Sequence, residues 1–507
     1  TRPRRFGKTL NLNMMECFFS TQYKDRSDLF DSLSIWNNQK YQKLQGTYPV
    51  ISLSFANIKG RTFEETKRGI LQILVKLFSI HSYIKDDKIL NSEDWEFINS
   101  VNMDMPDDVA SLTLMYLSDY LSRFYQKKVL IFLDEYDTPL QEAYIHGYWD
   151  ELTGFLRSLL NASFKTNPYL ERGLMTGITR ISKESIFSDL NNLSIITTTS
   201  EKYSQQFGFT ENEVFKALKS YHLSDKESLV KSWYDGFTFG SQKDIYNPWS
   251  IMNYAKRKKL ISYWVNTSAN SMIKTALKQA NYTFKNQYDK LIKDGKLDTY
   301  VSMQTSFFEE ADNSTLWGLF VNAGYLTVTK EIDLLKGKYR IEIPNKEVKQ
   351  EFIKLTEYQL GLSSGTLDTV TESLAKEDQE TFLESYQEIL MVPSYHDLQK
   401  ENSYHMMMLG MCLCLNKDYE IISNREVGKG RDDLILKAKD EKKTSFVLEF
   451  KYLKEDKKDL EKALDELSNK AIQQIKDNKY DYGLKGKVIY IGLAHHGKDV
   501  SVKWVES

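Results

Sequence analysis

A run of apolar residues that ends in two carboxylates constrains the fold of this chain most strongly. In KKVLIFLDEYDTPL, Val129–Leu133 are all apolar, and Asp134 and Glu135 follow directly. A strand without polar alternation is typical of a parallel sheet that helices cover on both sides. The run therefore predicts an α/β domain in which the two carboxylates lie at the end of a buried strand.

The segments around this run repeat the pattern of strand and helix. Strand-like stretches occur at 50–56 and in GLMTGITRIS, and helical spacing of apolar residues occurs over 61–84, 111–126 and 148–164. Strands that alternate with helices favour a parallel sheet with helices on both faces. After about residue 200, helical patterns with short aromatic-rich links (WYDGFTFG and IYNPWSIMNYA) predict a helical or winged-helix-like region, in which Thr210 caps a helix.

The first residues contain the end of a phosphate-binding motif. In TRPRRFGKT, Gly7, Lys8 and Thr9 fill the last three places of G-x-x-x-x-G-K-[ST], and Arg2 stands at the first glycine. Gly7 would let backbone N–H groups approach phosphates, Lys8 would neutralise β and γ oxygens, and the Thr9 hydroxyl would bind Mg²⁺. The alternative is a basic turn before a helix.

The carboxylates after the apolar run supply the other half of such a site. Asp134 would hold Mg²⁺, and Glu135 would polarise the attacking water. An acidic surface turn after a core strand is the alternative for this motif alone. Both halves occur in the expected order, with helices and another strand between them, and together they predict a P-loop NTPase-type nucleotide site for ATP and Mg²⁺.

Motifs over residues 1–265 resemble the bacterial AAA-ATPase-like proteins of unassigned physiology: RPRRFGKTLNLNMMECFF, VLIFLDEYDTPL, TGITRISKESIFSDLNNLS and WYDGFTFG…IYNPWSI. The resemblance implies that Lys8 and Thr9 contact the nucleotide and that Asp134 and Glu135 form the Walker B pair. Arg at the first glycine is usual in that family. The family normally carries a strand before the loop, so we expect a trimmed chain and a loosened loop. Asp137 is a turn cap or a site residue, and Arg180 a surface cation or a γ-phosphate sensor.

A second group of charged residues lies near the C-terminus. In GRDDLILKAKDEKKTSFVLEFK, Asp433 opens one strand and Glu449 and Lys451 close the next, with a charged turn between them. Antiparallel pairing of Asp433 with Glu449 or Lys451 puts all three on one face, whereas a shift by one residue would separate them. Two carboxylates and a lysine would suit hydrolysis of a phosphodiester with Mg²⁺ or Mn²⁺ held by Asp433 and Glu449. The alternative is a solvated hairpin.

The C-terminal motifs ENSYHMMMLGM, ISNREVGKGRDDLIL, FVLEFK and AIQQIKDNKY resemble the PD-(D/E)XK nuclease-like domain usually fused to that ATPase-like module. The resemblance implies that Asp433, Glu449 and Lys451 are catalytic. It adds Gln474 as a catalytic residue and Glu401 as a metal ligand, with His405 one helical turn later. For Glu401 the alternative is a helix-start carboxylate, and for His405 an imidazole at the edge of the core.

The whole chain is expected to have three parts: an ATPase-like domain at 1–205, the helical or winged-helix-like region at 206–365, and a restriction-endonuclease-like α/β domain at 366–507. We expect an ATP-hydrolysing protein coupled to a Mg²⁺-dependent nuclease, or alternatively a nucleotide-switched module that binds nucleic acid or protein without cleavage. A plain ATPase with a structural tail is a further alternative.

Composition limits the partners and the compartment. The formal net charge is −2, so any nucleic acid must be bound locally. Apolar runs are too short for a membrane helix. Three cysteines, Cys17, Cys412 and Cys414, indicate a reducing, cytoplasmic setting without a disulfide framework. The sequence leaves open the oligomeric state and the choice between DNA and RNA.

Overall fold

The computed structural model describes the chain except for residues 87–88, 181–185, 187–192, 265–272, 275–276, 278–279, 304–311, 360–364, 392–403, 405–406, 409–410, 413–414, 416–417, 424–425, 428–429, 432 and 455–458. The fold is mixed α/β. Within the described ranges, no helix combines the length and the apolar character needed to cross a bilayer.

The N-terminal sheet is parallel, as the apolar runs predict. Its strands are β1 (Val50–Ser54), β2 (Val129–Asp134) and β3 (Leu170–Met175), and they pair in the order β1–β2–β3. Every residue of β2 is buried. Because the strands are parallel, Ser54, Asp134 and Met175 all end at the same edge of the sheet.

Helices cover both faces of this sheet, which confirms the predicted layering. One face, with Ile131 and Leu133 of β2, packs against α3, α5 and α7, and the other, with Leu130 and Phe132, packs against Leu12 of α1. The helices of this part of the chain are α1 (Lys8–Phe19), α2 (Gln39–Gln42), α3 (Phe63–Ile80), α4 (Ser92–Ser100), α5 (Asp107–Tyr125), α6 (Thr138–His146) and α7 (Trp149–Phe164).

The next segment combines short helices with a small antiparallel sheet. Its elements are β4 (Phe209–Thr210), α8 (Glu211–Ser220), α9 (Glu227–Tyr234), β5 (Phe237–Phe239), β6 (Gln242–Tyr246) and α10 (Pro248–Arg257), and the strand order is β4–β6–β5. Thr210 caps α8, as predicted, in a capping box with Glu213. The interpretation of WYDGFTFG as a link is wrong. It contains β5, whose residues are all buried, so its sequence lacks the alternation of apolar and polar residues that would indicate a strand.

A lysine pairs with a cluster of three carboxylates at this small sheet. Glu211, Asp235 and Asp244 each bring a carboxylate oxygen within 4.8 Å of the others. Lys231 Nζ lies 3.6 Å from carboxylate oxygens of Asp235 and of Asp244, and it donates a hydrogen bond to Glu211 Oε1. Burial raises the pKa of Asp235 to about 7. The ammonium group of Lys231 is thus a counter-ion for these carboxylates, and it ties α8 and α9 to the β5–β6 hairpin.

Helices and strands also mix in the following segment, which adds strands to a region expected to be mainly helical. The elements are α11 (Tyr282–Asp294), β7 (Lys296–Tyr300), α12 (Asn313–Ala323), β8 (Thr327–Asp333), β9 (Lys338–Glu342) and α13 (Lys346–Gln359), and the strands pair in the order β7–β9–β8.

The C-terminal part is built on a mixed sheet. After α14 (Thr366–Ala375) and α15 (Gln379–Leu390) come β10 (Tyr419–Ser423), β11 (Glu426–Val427), β12 (Gly430–Arg431), β13 (Leu434–Ala438), β14 (Ser445–Tyr452), α16 (Leu460–Asn478), β15 (Val488–His496) and β16 (Asp499–Glu506). The order of the main sheet is β10–β13–β14–β15–β16, with β14 and β15 parallel and the other pairs antiparallel.

Two layers of helix enclose this sheet. Phe446, Leu448 and Phe450 of β14 face a core that includes α14 and α15. Val447 faces the opposite way, toward Ile472 and Ile475 of α16. Since side chains alternate along a strand, Glu449 and Lys451 lie on the α16 face.

The described chain divides into two compact units. The first comprises Thr1–Ala280 and Asp298–Val348, and the second comprises Asn281–Leu297 and Lys349–Ser507. The candidate nucleotide loop belongs to the first unit, and the C-terminal charged cluster belongs to the second. The three domain ranges expected from the sequence remain a prediction.

Candidate functional site

The first candidate site begins at the N-terminus of α1. Gly7 precedes the helix with φ of 81°, a left-handed conformation that glycine adopts without steric cost. Lys8 and Thr9 are the first helical residues. The unpaired N–H groups of this turn and the helix dipole favour an anion at this end of α1.

The Lys8 side chain is buried inside the loop that precedes it. Its Nζ donates hydrogen bonds to the carbonyl oxygens of Arg2 and Pro3, each at 2.9 Å. Burial lowers the pKa of Lys8 to about 8, and the carboxylates of Asp137 and Glu135 oppose that shift. An ammonium group has three N–H donors, so it can hold these carbonyls and still donate to a phosphate oxygen.

The two halves of the predicted nucleotide site meet in a hydrogen bond. Thr9 Oγ1 donates to Asp134 Oδ2 at 2.7 Å, although the two residues lie 125 positions apart. Thr176, directly after β3, donates its hydroxyl to Asp134 Oδ1. Sequence reasoning missed Thr176, whose only signal was its place at the end of a strand. A hydroxyl and a carboxylate are hard oxygen ligands that suit Mg²⁺.

Glu135 lies beside this pair in a strained backbone conformation. Its φ is 50°, which is uncommon for a residue with a Cβ, and such strain clusters at functional sites. Thr138 Oγ1 donates to Glu135 Oε2 at 3.1 Å and orients the carboxylate. Both Glu135 and Thr138 line the cleft above the loop.

The arginines of the loop have different positions: Arg2 is buried, whereas Arg4 and Arg5 line the cleft. Arg2 is buried, its guanidinium donates to the Tyr203 carbonyl oxygen at 3.0 Å, and burial lowers its pKa to about 10. Arg2 therefore ties the loop to the chain near residue 203 instead of adding charge to the cleft. Arg4 and Arg5 do line the cleft.

The loop is held firmly, so the loosening expected from the sequence does not appear. The Arg4 carbonyl oxygen accepts hydrogen bonds from Asn247 Nδ2 at 3.3 Å and from Trp264 Nε1 at 3.1 Å. On its other side, Phe6 is fully buried in edge-to-face contact with Phe237 and Phe239. These anchors come from segments more than 200 residues away, which local sequence could not reveal.

Asp137 organises the turn after β3. It is fully buried, and its Oδ2 accepts hydrogen bonds from the backbone N–H groups of Ile178 and Thr179 at 2.9 and 2.7 Å. The Thr179 hydroxyl and Gln141 Nε2 donate to the same oxygen at 2.7 and 2.9 Å. Asp137 does not cap its own helix, α6. Its carboxylate instead joins the end of β2 to the segment leading to Arg180.

A cleft of about 660 Å³ lies over the loop. Its basic lining is Arg4, Arg5, Lys8 and Lys59, and Glu135 supplies a carboxylate. Phe209, Pro248, Trp249 and Met252 form an apolar side. Ligand clefts commonly measure about 300–1,000 Å³, so this cleft has the size for a nucleotide.

The second candidate site lies at the end of β14. Leu434 pairs with Leu448 and Ile435 with Val447, so continuation of the same register places Asp433 opposite Glu449. This pairing is one of the two that place all three side chains on one face. Asp433 Oδ2 accepts a hydrogen bond from the Phe450 N–H at 2.9 Å, which fixes the carboxylate beside β14.

Glu449 and Lys451 form a close ion pair on the α16 face. Lys451 Nζ lies 2.7 Å from Glu449 Oε1 and donates a second hydrogen bond to the Phe450 carbonyl oxygen at 2.9 Å. The Glu449 side chain is only 2% exposed, and that of Lys451 is 20% exposed. The structure thus brings Asp433, Glu449 and Lys451 together at one strand end.

Gln474 lies just beyond the part of α16 that is nearest to Glu449. Gly492 pairs with Glu449, and an added Cβ at Gly492 would lie 2.3 Å from the Ser468 carbonyl oxygen, 3.2 Å from Ala471 Cβ and 3.1 Å from Ile472 Cγ1. Gln474 follows this segment by two residues, and its amide donates to the Tyr480 hydroxyl at 3.4 Å. The catalytic role that the resemblance implies for Gln474 stays a prediction. Glu401 and His405 lie outside the described residues.

Family models match the two parts of the chain that contain the candidate sites. Residues 1–187 match the family model described as a predicted AAA-ATPase, and residues 399–505 match that of the PD-(D/E)XK nuclease superfamily. The chain is similar to an uncharacterized protein in the vnfD 5′ region of Azotobacter chroococcum, with 23% identity over 69% of this chain. The match covers 61% of that relative's length. No solved structure matches the chain.

Removal of the Asp137 carboxylate should destabilise the first unit. Asp137→Ala leaves the buried donors of Ile178, Thr179 and Gln141 without their acceptor, and we expect a loss of about 3–5 kcal/mol in the free energy of unfolding. Urea unfolding followed by circular dichroism measures this loss. Asp150→Ala, an exposed carboxylate in the first turn of α7, is the matched control, and an equal effect of both substitutions would contradict the role of Asp137.

Proposed function

We propose that this chain, which joins a domain matching the predicted AAA-ATPase family to one matching the PD-(D/E)XK nuclease superfamily, hydrolyses ATP and cleaves nucleic acid phosphodiesters. The hydrogen bond between Thr9 and Asp134 carries the first half of this proposal, because it joins the two motifs of a nucleotide site. The shared face of Asp433, Glu449 and Lys451 supports the second half.

At the first site, the loop binds and orients the triphosphate. Backbone N–H groups at the start of α1 donate to phosphate oxygens, and Lys8 donates from the position where the Arg2 and Pro3 carbonyls hold it. Mg²⁺ held by Thr9 and Asp134 would supply neutralisation of charge on the β and γ oxygens.

Glu135 is the residue that we assign to the attacking water. Its carboxylate lines the cleft and is oriented by the Thr138 hydroxyl, so it can accept a hydrogen bond from a water molecule next to the γ-phosphate. Both carboxylate oxygens of Asp134 accept hydrogen bonds, one from Thr9 and one from Thr176. We therefore assign Asp134 as the metal ligand and Glu135 as the base.

Substitution of Glu135 should separate nucleotide binding from hydrolysis. Glu135→Gln keeps the shape and removes the base, so we expect ATP hydrolysis to fall by about 10²-fold or more while ATP affinity stays within about threefold. Phosphate release and equilibrium dialysis measure the two quantities. Glu142→Gln, on α6 outside the cleft, is the matched control. Hydrolysis that is unchanged in Glu135→Gln would refute this assignment.

At the second site, Asp433 and Glu449 present two carboxylates at the end of β14. Hard oxygen donors of this kind fit Mg²⁺ or Mn²⁺, which would supply a hydroxide nucleophile and stabilise the charged phosphorane. Lys451 holds Glu449 in place and can orient the water or neutralise the scissile phosphate. The hydrogen bond from the Phe450 N–H keeps Asp433 beside this pair.

Cleavage should depend on this cluster and not on Gln474. With plasmid DNA and single-stranded RNA as probes and Mg²⁺ or Mn²⁺ present, we expect Asp433→Ala and Lys451→Ala each to lower cleavage by about 10²-fold or more. We expect Gln474→Ala to retain wild-type cleavage, because its amide is engaged with Tyr480. Lys437→Ala, at a lysine on β13 whose side chain is 44% exposed, controls for loss of charge alone.

The same assay decides between cleavage and its alternative. Binding of either nucleic acid without cleavage by the intact chain would favour a nucleotide-switched binding module, and neither binding nor cleavage would favour an ATPase with a structural tail. We further propose that nucleotide state controls the nuclease, so Lys8→Ala should abolish any effect of ATP on cleavage.

The few cysteines fit a reducing compartment, and we propose the cytoplasm.

A further inference from the structure

The apolar side of the cleft consists of Phe209, Pro248, Trp249 and Met252, here called the aromatic wall. Trp249 and Met252 are each 43% exposed, although large apolar side chains are usually buried. Exposed apolar side chains in a cleft that also has converging charged groups indicate a ligand with an apolar part and an anionic part.

The aromatic wall is fixed directly to the phosphate loop. Asn247 caps α10 by accepting hydrogen bonds from the N–H groups of Trp249 and Ser250 at 3.0 and 3.2 Å. The other end of the same Asn247 amide donates to the Arg4 carbonyl oxygen. A single side chain therefore sets the position of Trp249 relative to the loop.

A buried carboxylate holds the back of the wall. Glu347 accepts hydrogen bonds from the Ser250 hydroxyl at 2.8 Å and from the N–H groups of Tyr263 and Trp264 at 2.6 and 2.9 Å. The Trp249 indole N–H donates to the Tyr263 carbonyl oxygen at 3.2 Å. The indole ring is thus held at its polar edge, which leaves its π surface for stacking.

A planar cation already lies over that ring. The Arg5 guanidinium carbon is 4.5 Å from the centroid of the Trp249 ring. A guanidinium group stacks weakly on an exposed aromatic ring but binds phosphate strongly through paired hydrogen bonds. Phosphates in the loop would therefore draw Arg5 away from Trp249 and open a flat surface for another planar group.

We propose that the aromatic wall binds the base of the nucleoside triphosphate, which stacks on Trp249 in place of the Arg5 guanidinium. The inference rests on the proposed nucleotide function, and it adds the part of the cleft that recognises the base. Arg5 moves to the phosphates in the same step. The base is recognised by its π face, as in other aromatic platforms that bind nucleotides.

The test compares ATP with inorganic tripolyphosphate, which has the phosphates but no base. We expect Trp249→Ala to raise the Kd for Mg²⁺-ATP about tenfold and to leave the Kd for tripolyphosphate unchanged, as measured by titration calorimetry on the full chain. Trp249→Phe should restore most of the ATP affinity. Trp95→Ala removes a comparably exposed tryptophan outside the cleft and should behave as wild type.

The outcomes separate this inference from the proposed function. Wild-type protein that binds ATP no more tightly than tripolyphosphate would overturn the base site alone, as would a Trp249→Ala variant that weakens both ligands equally or neither. Wild-type protein that binds neither ligand would overturn the proposed nucleotide function and the base site with it. Thermal unfolding of Trp249→Phe shows whether the wall still folds.

Discussion

The hydrogen bond between Thr9 and Asp134 depends on which side chains of strand β2 face helix α1. Asp134 lies on the same face of the sheet as Leu130 and Phe132, and that face packs against Leu12 of α1. Because side chains alternate along a strand, a shift of one residue would turn Asp134 to the opposite face. The packing of α1 on β2 therefore decides whether the loop and the carboxylate meet at all.

A similar constraint governs the second site. The antiparallel pairing of β13 with β14 places Asp433 opposite Glu449, and the parallel pairing of β14 with β15 brings α16 across the same face. Gly492 lets that helix approach closely, since any side chain there would collide with the Ser468 carbonyl. Both candidate sites thus lie where a buried strand ends, and the alternation of side chains along that strand decides which carboxylates share a face.

The sequence predicted what depends on local periodicity. The burial of β2, the cap at Thr210 and the common face of Glu449 and Lys451 follow from patterns within a few residues. The register that places Asp433 opposite Glu449 was left open by the sequence and is given by the pairing of β13 with β14. The role of Gln474 instead came from resemblance, and its amide donates a hydrogen bond to the Tyr480 hydroxyl. The strand β16 was missed although Val500, Val502 and Trp504 alternate with polar residues and pack on the core.

Contacts between distant segments could not be predicted in this way. Asp137 binds N–H groups more than 40 positions away, and Asn247 binds the Arg4 carbonyl from 243 positions away. Neither contact has a periodic signal. The short strand β5 also has none, because all of its residues are buried. The Asn247 side chain positions Trp249, which lines the cleft, so this side of the cleft became visible only in three dimensions.

Electron paramagnetic resonance of Mn²⁺ that stays with the full chain after free Mn²⁺–ATP is removed shows whether Thr9 and Asp134 hold the metal. If they hold it beside the phosphates, this protein-bound Mn²⁺ will show hyperfine coupling to ³¹P. We expect Thr9→Val and Asp134→Asn each to abolish the protein-bound coupling, and Asp433→Ala to retain it. Protein-bound coupling that persists in both loop-site variants, or that disappears in Asp433→Ala, would contradict metal binding by Thr9 and Asp134.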